Sequence, residues 1–205
     1  MRYLIPLLGG LAVVGCAKTE MRAPPAPVAP FPGDFLTGRI AVYPLNNLTT
    51  DSTLGWDEAL ADRVQARGRV DSMLVALLNG RFAQVLWVPP EALRRAASQA
   101  PTLTGPDRMS TLLLQTHALT TIADPLASQM RELTAVATGG RYALVPANLW
   151  FARNREGRGT ANIVVALADI RLRAVSWSAT LTGAGDTPWQ ALDAALRRLT
   201  AMERR

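Results

Sequence analysis

One cysteine, one histidine and one lysine stand among 205 residues, and these shortages remove whole classes of chemistry. A single Cys forbids an intramolecular disulfide, and together with a single His it leaves no ligand set for an all-protein zinc site within one chain. Lys18 is the only lysine. No Gly-rich loop leads it into a helix, so no P-loop is encoded, and no Gly-x-Ser-x-Gly marks a nucleophile elbow. No apolar run reaches the roughly 20 residues of a permanent membrane helix. What is present, 49% hydrophobic and 19% charged residues, suits one compact domain with a real core rather than a disordered or fibrous chain. Lys+Arg of 22 against Asp+Glu of 16 gives +6, but the cations are scattered, so charge alone names no partner.

The N-terminus is the most informative stretch. Met1-Arg2 precedes an apolar run from Tyr3 to Val14, broken by Pro6 and Gly9-Gly10 and followed by Gly15, so residues 1–15 have the proportions of a signal peptide. Val13-Val14-Gly15-Cys16 resembles the bacterial lipobox, in which a peptidase cuts before a Cys diacylated on sulfur. The resemblance implies lipidation at Cys16. Read without it, Cys16 is a small buried hydrophobe or a thiol left free by a simple secretory cut. Each buried methylene contributes ~0.8 kcal/mol; one acyl chain holds a protein reversibly, and the three that the resemblance implies hold it almost permanently. Ala17, rather than Asp, follows the Cys. Under the enterobacterial sorting rule this implies an outer-membrane anchor facing the periplasm, with the inner membrane as the alternative. An exported chain is not expected to meet nucleic acid.

Residues 16–38 form the lipidated Cys and a tether carrying Pro24, Pro25, Pro27, Pro30 and Pro32. Such a segment favours polyproline geometry and lacks amide donors for a sheet. Fully stretched, it spans up to ~70 Å. In the alternative it wraps over the domain, with Phe31, Phe35 and Leu36 docked.

Residues 39–205 read as one α/β domain. Arg39 to Leu45 is a short apolar strand, ended by Pro44 and the Asn46-Asn47 turn signal. Val70, Met73, Leu74, Leu77 and Leu78 recur at helical spacing within Trp56 to Leu78, with Gly68 as a point of kinking and Asn79-Gly80 as a stop. Phe82 to Val88 predicts a strand, Glu91 to Ala97 a short helix, Thr111 to Ile122 another helix, and Asp124-Pro125 the cap of a helix bearing Leu126, Met130 and Leu133. Tyr142 to Phe151 predicts a strand whose Pro146 requires an edge or a bulge. Ala161 to Asp169 suits a strand buried on both faces, and Val175, Trp177, Ala179 and Leu181 alternate with Ser and Thr as in a half-wet antiparallel strand. Thr187-Pro188-Trp189-Gln190 starts a final helix with a stripe of Trp189, Leu192, Leu196 and Leu199. The expected order is β-α-β-α-α-β-β-β-α: a single mixed β-sheet with helices packed on it, closing on antiparallel strands and a last helix.

Several of these phrases carry a resemblance. Ile40-Ala41-Val42-Tyr43-Pro44-Leu45-Asn46-Asn47 resembles the opening strand of the curli-assembly and penicillin-binding-protein-activator group of envelope lipoproteins, whose domain is similar to the N-terminal domain of TolB. Tyr142-Ala143-Leu144-Val145, Val165 to Arg171 and Val175-Ser176-Trp177-Ser178 resemble that group's later strand and hairpin. Arg173 stands where the group's turn has Gly. The resemblance implies a non-enzymatic protein that docks an envelope partner or self-associates; the alternative it implies is a ring-forming component like the curli secretion channel. The long amphipathic hairpins that line such a channel are not encoded.

Candidate chemistry is thin. His117 lies in an apolar stretch with no acidic neighbour, Asp57, Glu58 and Asp62 read as a solvated helix face, and Asp169 ends an apolar strand where its carboxylate accepts turn amides. An envelope hydrolase is therefore the least favoured reading, and no cofactor or metal is implied. The candidate partner-binding residues are Arg63, Arg67 and Arg69, with Arg197 and Arg198; Arg204 and Arg205 extend the second group. They would meet phosphate headgroups, glycan-linked phosphates or an acidic protein face, or else simply solvate helix faces.

Overall fold

The computed structural model describes residues 30–32, 36–116 and 119–201. Cys16, Phe35, His117, Arg204 and Arg205 lie outside them, as do the signal segment and most of the tether.

The strands are β1 (Gly38–Val42), β2 (Leu48–Thr50), β3 (Val85–Val88), β4 (Tyr142–Arg153), β5 (Gly159–Asp169) and β6 (Ala174–Ala184); the helices are α1 (Arg63–Arg81), α2 (Pro90–Gln99), α3 (Leu126–Ala137) and α4 (Pro188–Ala201). They build one mixed sheet in the order β3-β1-β4-β5-β6, with β2 also beside β4. β3, β1, β2 and β4 are joined in parallel; β4, β5 and β6 are antiparallel. The fold class is the expected one. The short β2 is an addition to it.

Residue alternation explains the layers. Along β5, Ile163, Val165 and Leu167 point into one core while Val164, Ala166 and Ala168 point into the other. A strand apolar on both sides needs cover on both. The first core is closed by α1, through Val70, Leu74 and Leu78, and by α4, through Leu192, Leu196 and Leu199. The second is closed by α2, through Leu93, and by α3, through Leu126, Met130 and Leu133. The crossover from β1 to β3 moves outward along the sheet and the one from β3 to β4 moves back, so a constant hand puts their helices on opposite faces. Phe31 and Leu36, tether residues by their sequence, are buried in the first core, and Phe31 meets Trp177 and Phe82 edge-on with ring centroids 5.0 and 5.3 Å apart.

Pro146 sits in an interior strand, at a bulge between Pro146 and Asn148. The extra residue shifts the alternation. Before it Leu144 faces the first core, and after it Leu149 and Phe151 do. The bulge is a place where an interior strand tolerates a proline, and it shifts which alternate residues of β4 face the first core.

Two local expectations are corrected. α1 runs unbroken through Gly68 and past Asn79-Gly80 to Arg81, because Asp62 caps its start by accepting from the Val64 and Gln65 amides and the buried Val70, Leu74 and Leu78 hold its length. The helix expected over Thr111 to Ile122 does not form. Only a 3-10 turn at Thr111–Gln115 is present, with Thr111 and Leu114 buried at its three-residue period while Leu112 and Leu113 stay exposed. Residues 120–122 instead run beside the start of β6, where the Val175 amide donates to Thr120 and the Ile122 amide to Arg173. Arg173 itself adopts φ 55, a left-handed conformation that favours glycine, with its guanidinium paired to Asp124.

α4 lies unusually close to β6. A Cβ on Gly183 would come within 2.1 Å of the Ala195 backbone nitrogen, whereas one on Gly68 in α1 would meet nothing within 4 Å. Gly183→Ala is therefore expected to destabilise the fold by ~1–3 kcal/mol through overpacking. Gly68→Ala should stabilise it by ~0.5–1 kcal/mol through lower unfolded-state entropy. Urea unfolding of the two variants checks both signs.

Candidate functional site

A cleft of about 430 Å³ opens between the chain after β1 and the first turns of α1, lined by Asn46, Asn47, Leu48, Thr49, Thr50, Arg63 and Arg67. Its walls follow from local sequence. Pro44 stops β1, and the following asparagines pin the turn: the Asn46 amide donates to the carbonyls of Pro106 (2.9 Å) and Met109 (3.0 Å), and the Asn47 amide donates to Asn148 Oδ1 (2.6 Å). The chain then runs as β2 against β4, with Leu48 opposite Leu149 and Thr50 opposite Phe151. On the other wall, Arg67 is half-buried and held by its backbone neighbours, Nη1 donating to the Asn46 carbonyl (3.3 Å) and Nε to the Arg63 carbonyl (3.2 Å). Two guanidinium groups thus line a polar cleft that has no carboxylate in its lining.

Beneath the turn lies a buried carboxylate. Asp71, 1% exposed, accepts from the Leu45 amide (2.8 Å) and sits 3.5 Å from Arg94 Nη2. Arg94 in turn grips Asp107 at 2.7 Å and lies 3.6 Å from Glu91. The Arg94 hydrogen bond holds the Asp107 carboxyl below the usual range, while burial pushes Asp71 up to about 6, against the Leu45 amide and Arg94. The network ties α1, α2, the chain after β1 and the 3-10 turn Pro106–Arg108 together behind the cleft.

The five candidate arginines separate into three places. Arg63 and Arg67 share the cleft. Arg69 stacks over the Trp189 ring at 4.3 Å, at the seam of α1 and α4. On α4, Arg197 pairs with Asp193 at 2.7 Å and Arg198 is exposed. Two of the acidic candidates are engaged in local structure, while Asp57 is exposed and makes no side-chain cap bond. Asp62 caps α1, and Asp169 accepts from the Arg171 and Leu172 amides and pairs with Arg141 at 2.6 Å. Burial alone would raise the Asp169 carboxyl, but Arg141 and the two amides outweigh it and hold it below the usual range. Glu58 is exposed in a 3-10 turn. Among the described residues no group of three or more His, Cys, Asp or Glu is placed to hold a metal ion, and no helix is long and apolar enough to cross a membrane.

Sequence reasoning missed Thr49, Thr50, Asp71 and Arg94. Asp71 left a trace: it follows Val70 and precedes Leu74 on the helix stripe, where a carboxylate is out of place unless it has a partner.

No protein-family model matches the chain, and no curated protein matches it. Solved structures do. The chain is similar to the LpoB C-terminal domain from Salmonella enterica, at 17% identity over 73% of this chain and 85% of that one, with a TM-score of 0.38. It is similar to the PelC dodecamer from Paraburkholderia phytofirmans, at 16% identity over 81% of this chain and 86% of that one, with a TM-score of 0.35. Lipoprotein GNA1162 from Neisseria meningitidis matches at 12% identity over 81% of this chain and 96% of that one, with a TM-score of 0.37. None of these likenesses assigns a role to a residue of this chain.

The buried Asp71 gives a pH signature. Its folded value lies above the unfolded 3.8, so the folded chain holds the proton more tightly. The stability this provides is fully present below the unfolded value and is lost as pH rises through about 6. The unfolding free energy of the native chain minus that of Asp71→Asn should therefore fall by about 3 kcal/mol between about pH 3 and pH 7. Denaturant titrations of both proteins across that range provide the measurement.

Proposed function

We propose that this protein is a lipid-anchored, periplasm-facing binding lipoprotein that docks a partner in cell-envelope assembly, as the strand motifs it shares with the curli-assembly and penicillin-binding-protein-activator group suggest. It works by binding, not by catalysis. Cys16 carries the acyl chains after removal of residues 1–15, and an outer-membrane site follows from Ala17. Residues 39–205 are the docking domain, with Arg63 and Arg67, and secondarily Arg69, Arg197 and Arg198, as the basic groups that meet the partner.

The observation that carries the docking half is the cleft at Arg63 and Arg67: an open, polar, cationic surface with no carboxylate in its lining to satisfy it. The acidic side chains nearest it in sequence, Asp51 and Asp62, accept instead from the Thr53 amide and from the Val64 and Gln65 amides. Among the described residues Arg63 makes no side-chain hydrogen bond, and Arg67 spends its bonds on two neutral carbonyls with only the Arg94-paired Asp107 acting on its charge. This arrangement favours an acidic face brought by another molecule. Phe31 is seated in the first core, so an anchor at Cys16 would lie at most 15 residues upstream of the domain, a limit of ~50 Å from chain length alone.

Palmitate labelling and envelope crosslinking test both halves. The native chain is expected to incorporate label, fractionate with membranes and crosslink to a discrete protein; Cys16→Ala is expected to lose label and membrane association entirely. Label retained by Cys16→Ala overturns the anchor. Crosslinking that yields no protein overturns the docking role, and a ring of copies seen by electron microscopy of the detergent extract replaces it with the secretion-component reading.

A further inference from the structure

The same cleft is bounded by an open strand. β2 pairs with β4 on one side only. The Asn47 carbonyl takes the Leu149 amide and the Asp51 amide donates to the Phe151 carbonyl, each at 3.0 Å. By alternation residues 47, 49 and 51 spend their backbone groups on β4, while the amides and carbonyls of Leu48 and Thr50 face away from it, towards the cleft. Among the described residues nothing pairs with them.

We propose that the cleft accepts an extended acidic segment of a partner protein as an added strand on β2, with carboxylates two residues apart meeting Arg63 and Arg67. This rests on the docking role above and names its surface and the chemistry of its partner. An exposed strand edge offers donors and acceptors in alternation, which a peptide backbone matches; a phosphate group would leave the carbonyls unanswered. Charge complementarity supplies the second requirement. Arg63 and Arg67 are one turn apart on α1, an axial spacing of about 6 Å, and same-face residues of an extended strand repeat every ~6.6 Å. An acid at every second position therefore keeps step with both guanidinium groups. Arg67 is already oriented by two backbone carbonyls, whereas the Arg63 side chain makes no hydrogen bond among the described residues and is free to follow the ligand. The edge is only three residues long, which limits indiscriminate pairing and leaves the charges to select the strand.

The test uses the full-length lipidated protein in detergent micelles and a fluorescein-labelled peptide, Thr-Glu-Val-Glu-Val-Glu-Thr, read by anisotropy. Three changes should each weaken binding by about tenfold or more: Gln for Glu in the peptide, N-methylation of alternate peptide amides, and the double variant Arg63→Glu with Arg67→Glu. Arg63→Gln with Arg67→Gln serves if the reversed variant loses its circular dichroism spectrum. Equal binding of the N-methylated peptide overturns strand addition, and equal binding by either arginine double variant overturns the charge reading. Displacement of the peptide by millimolar inorganic phosphate, with no preference for the alternating sequence, overturns the proposal in favour of a phosphate ligand. If envelope crosslinking still recovers the partner with the arginine variants, this inference falls while the docking role stands.

Discussion

A sheet that is apolar on both faces governs this molecule. β5 has almost no water-facing side chain, and β4 beside it and β1 beyond β4 follow the same alternation. Every inner strand must therefore be roofed twice, and the chain meets that demand by sending α1 and α4 to one side and α2 and α3 to the other. The single proline kink in β4 and the glycine at 183 are accommodations to this demand: one shifts the phase of the alternation, the other lets a helix lie almost against the strand backbone. β6 escapes it on one side, where Ser176, Ser178, Thr180 and Thr182 form the outer face.

The cleft exists because the roofing is discontinuous there. After β1 the chain crosses to the lower half of β4, and the turn that makes the crossing is stabilised by polar contacts in place of apolar packing. Asp71, Arg94 and Asp107 hold its back, Asn46 and Asn47 hold its ends, and Asn148 in turn reaches Gln115. A buried, fully engaged carboxylate is costly, and such groups are retained where they set a geometry rather than where they add stability. Here the geometry set is the spacing between β2 and α1.

Much of this was legible in sequence. The long strands, the capped helices and the antiparallel close follow from period-2 and period-3.6 patterns that agree with local capping residues, as at Thr187, whose hydroxyl accepts from the Gln190 amide. Two failures have distinct physical causes. Thr111 to Ile122 is apolar enough for a helix, yet its residues divide between a 3-10 turn and an extended segment claimed by β6, a tertiary pairing that no local pattern announces. β2 was missed because three residues are too few to show alternation, and its existence depends on β4, a hundred residues later. The site was half legible. Arg63 and Arg67 stand out at helical spacing, but Arg69, equally prominent in sequence, is turned by the helix onto Trp189, and only the fold separates the two outcomes.

The seat of Phe31 has a mechanical meaning. Its ring is wedged between Phe82, just beyond the end of α1 and ahead of the edge strand β3, and Trp177 in β6 at the opposite edge of the sheet. Tension applied from upstream is thus delivered to an aromatic clasp at the centre of the first core, and the hydrogen-bond ladder of β1 is loaded only after that clasp has yielded.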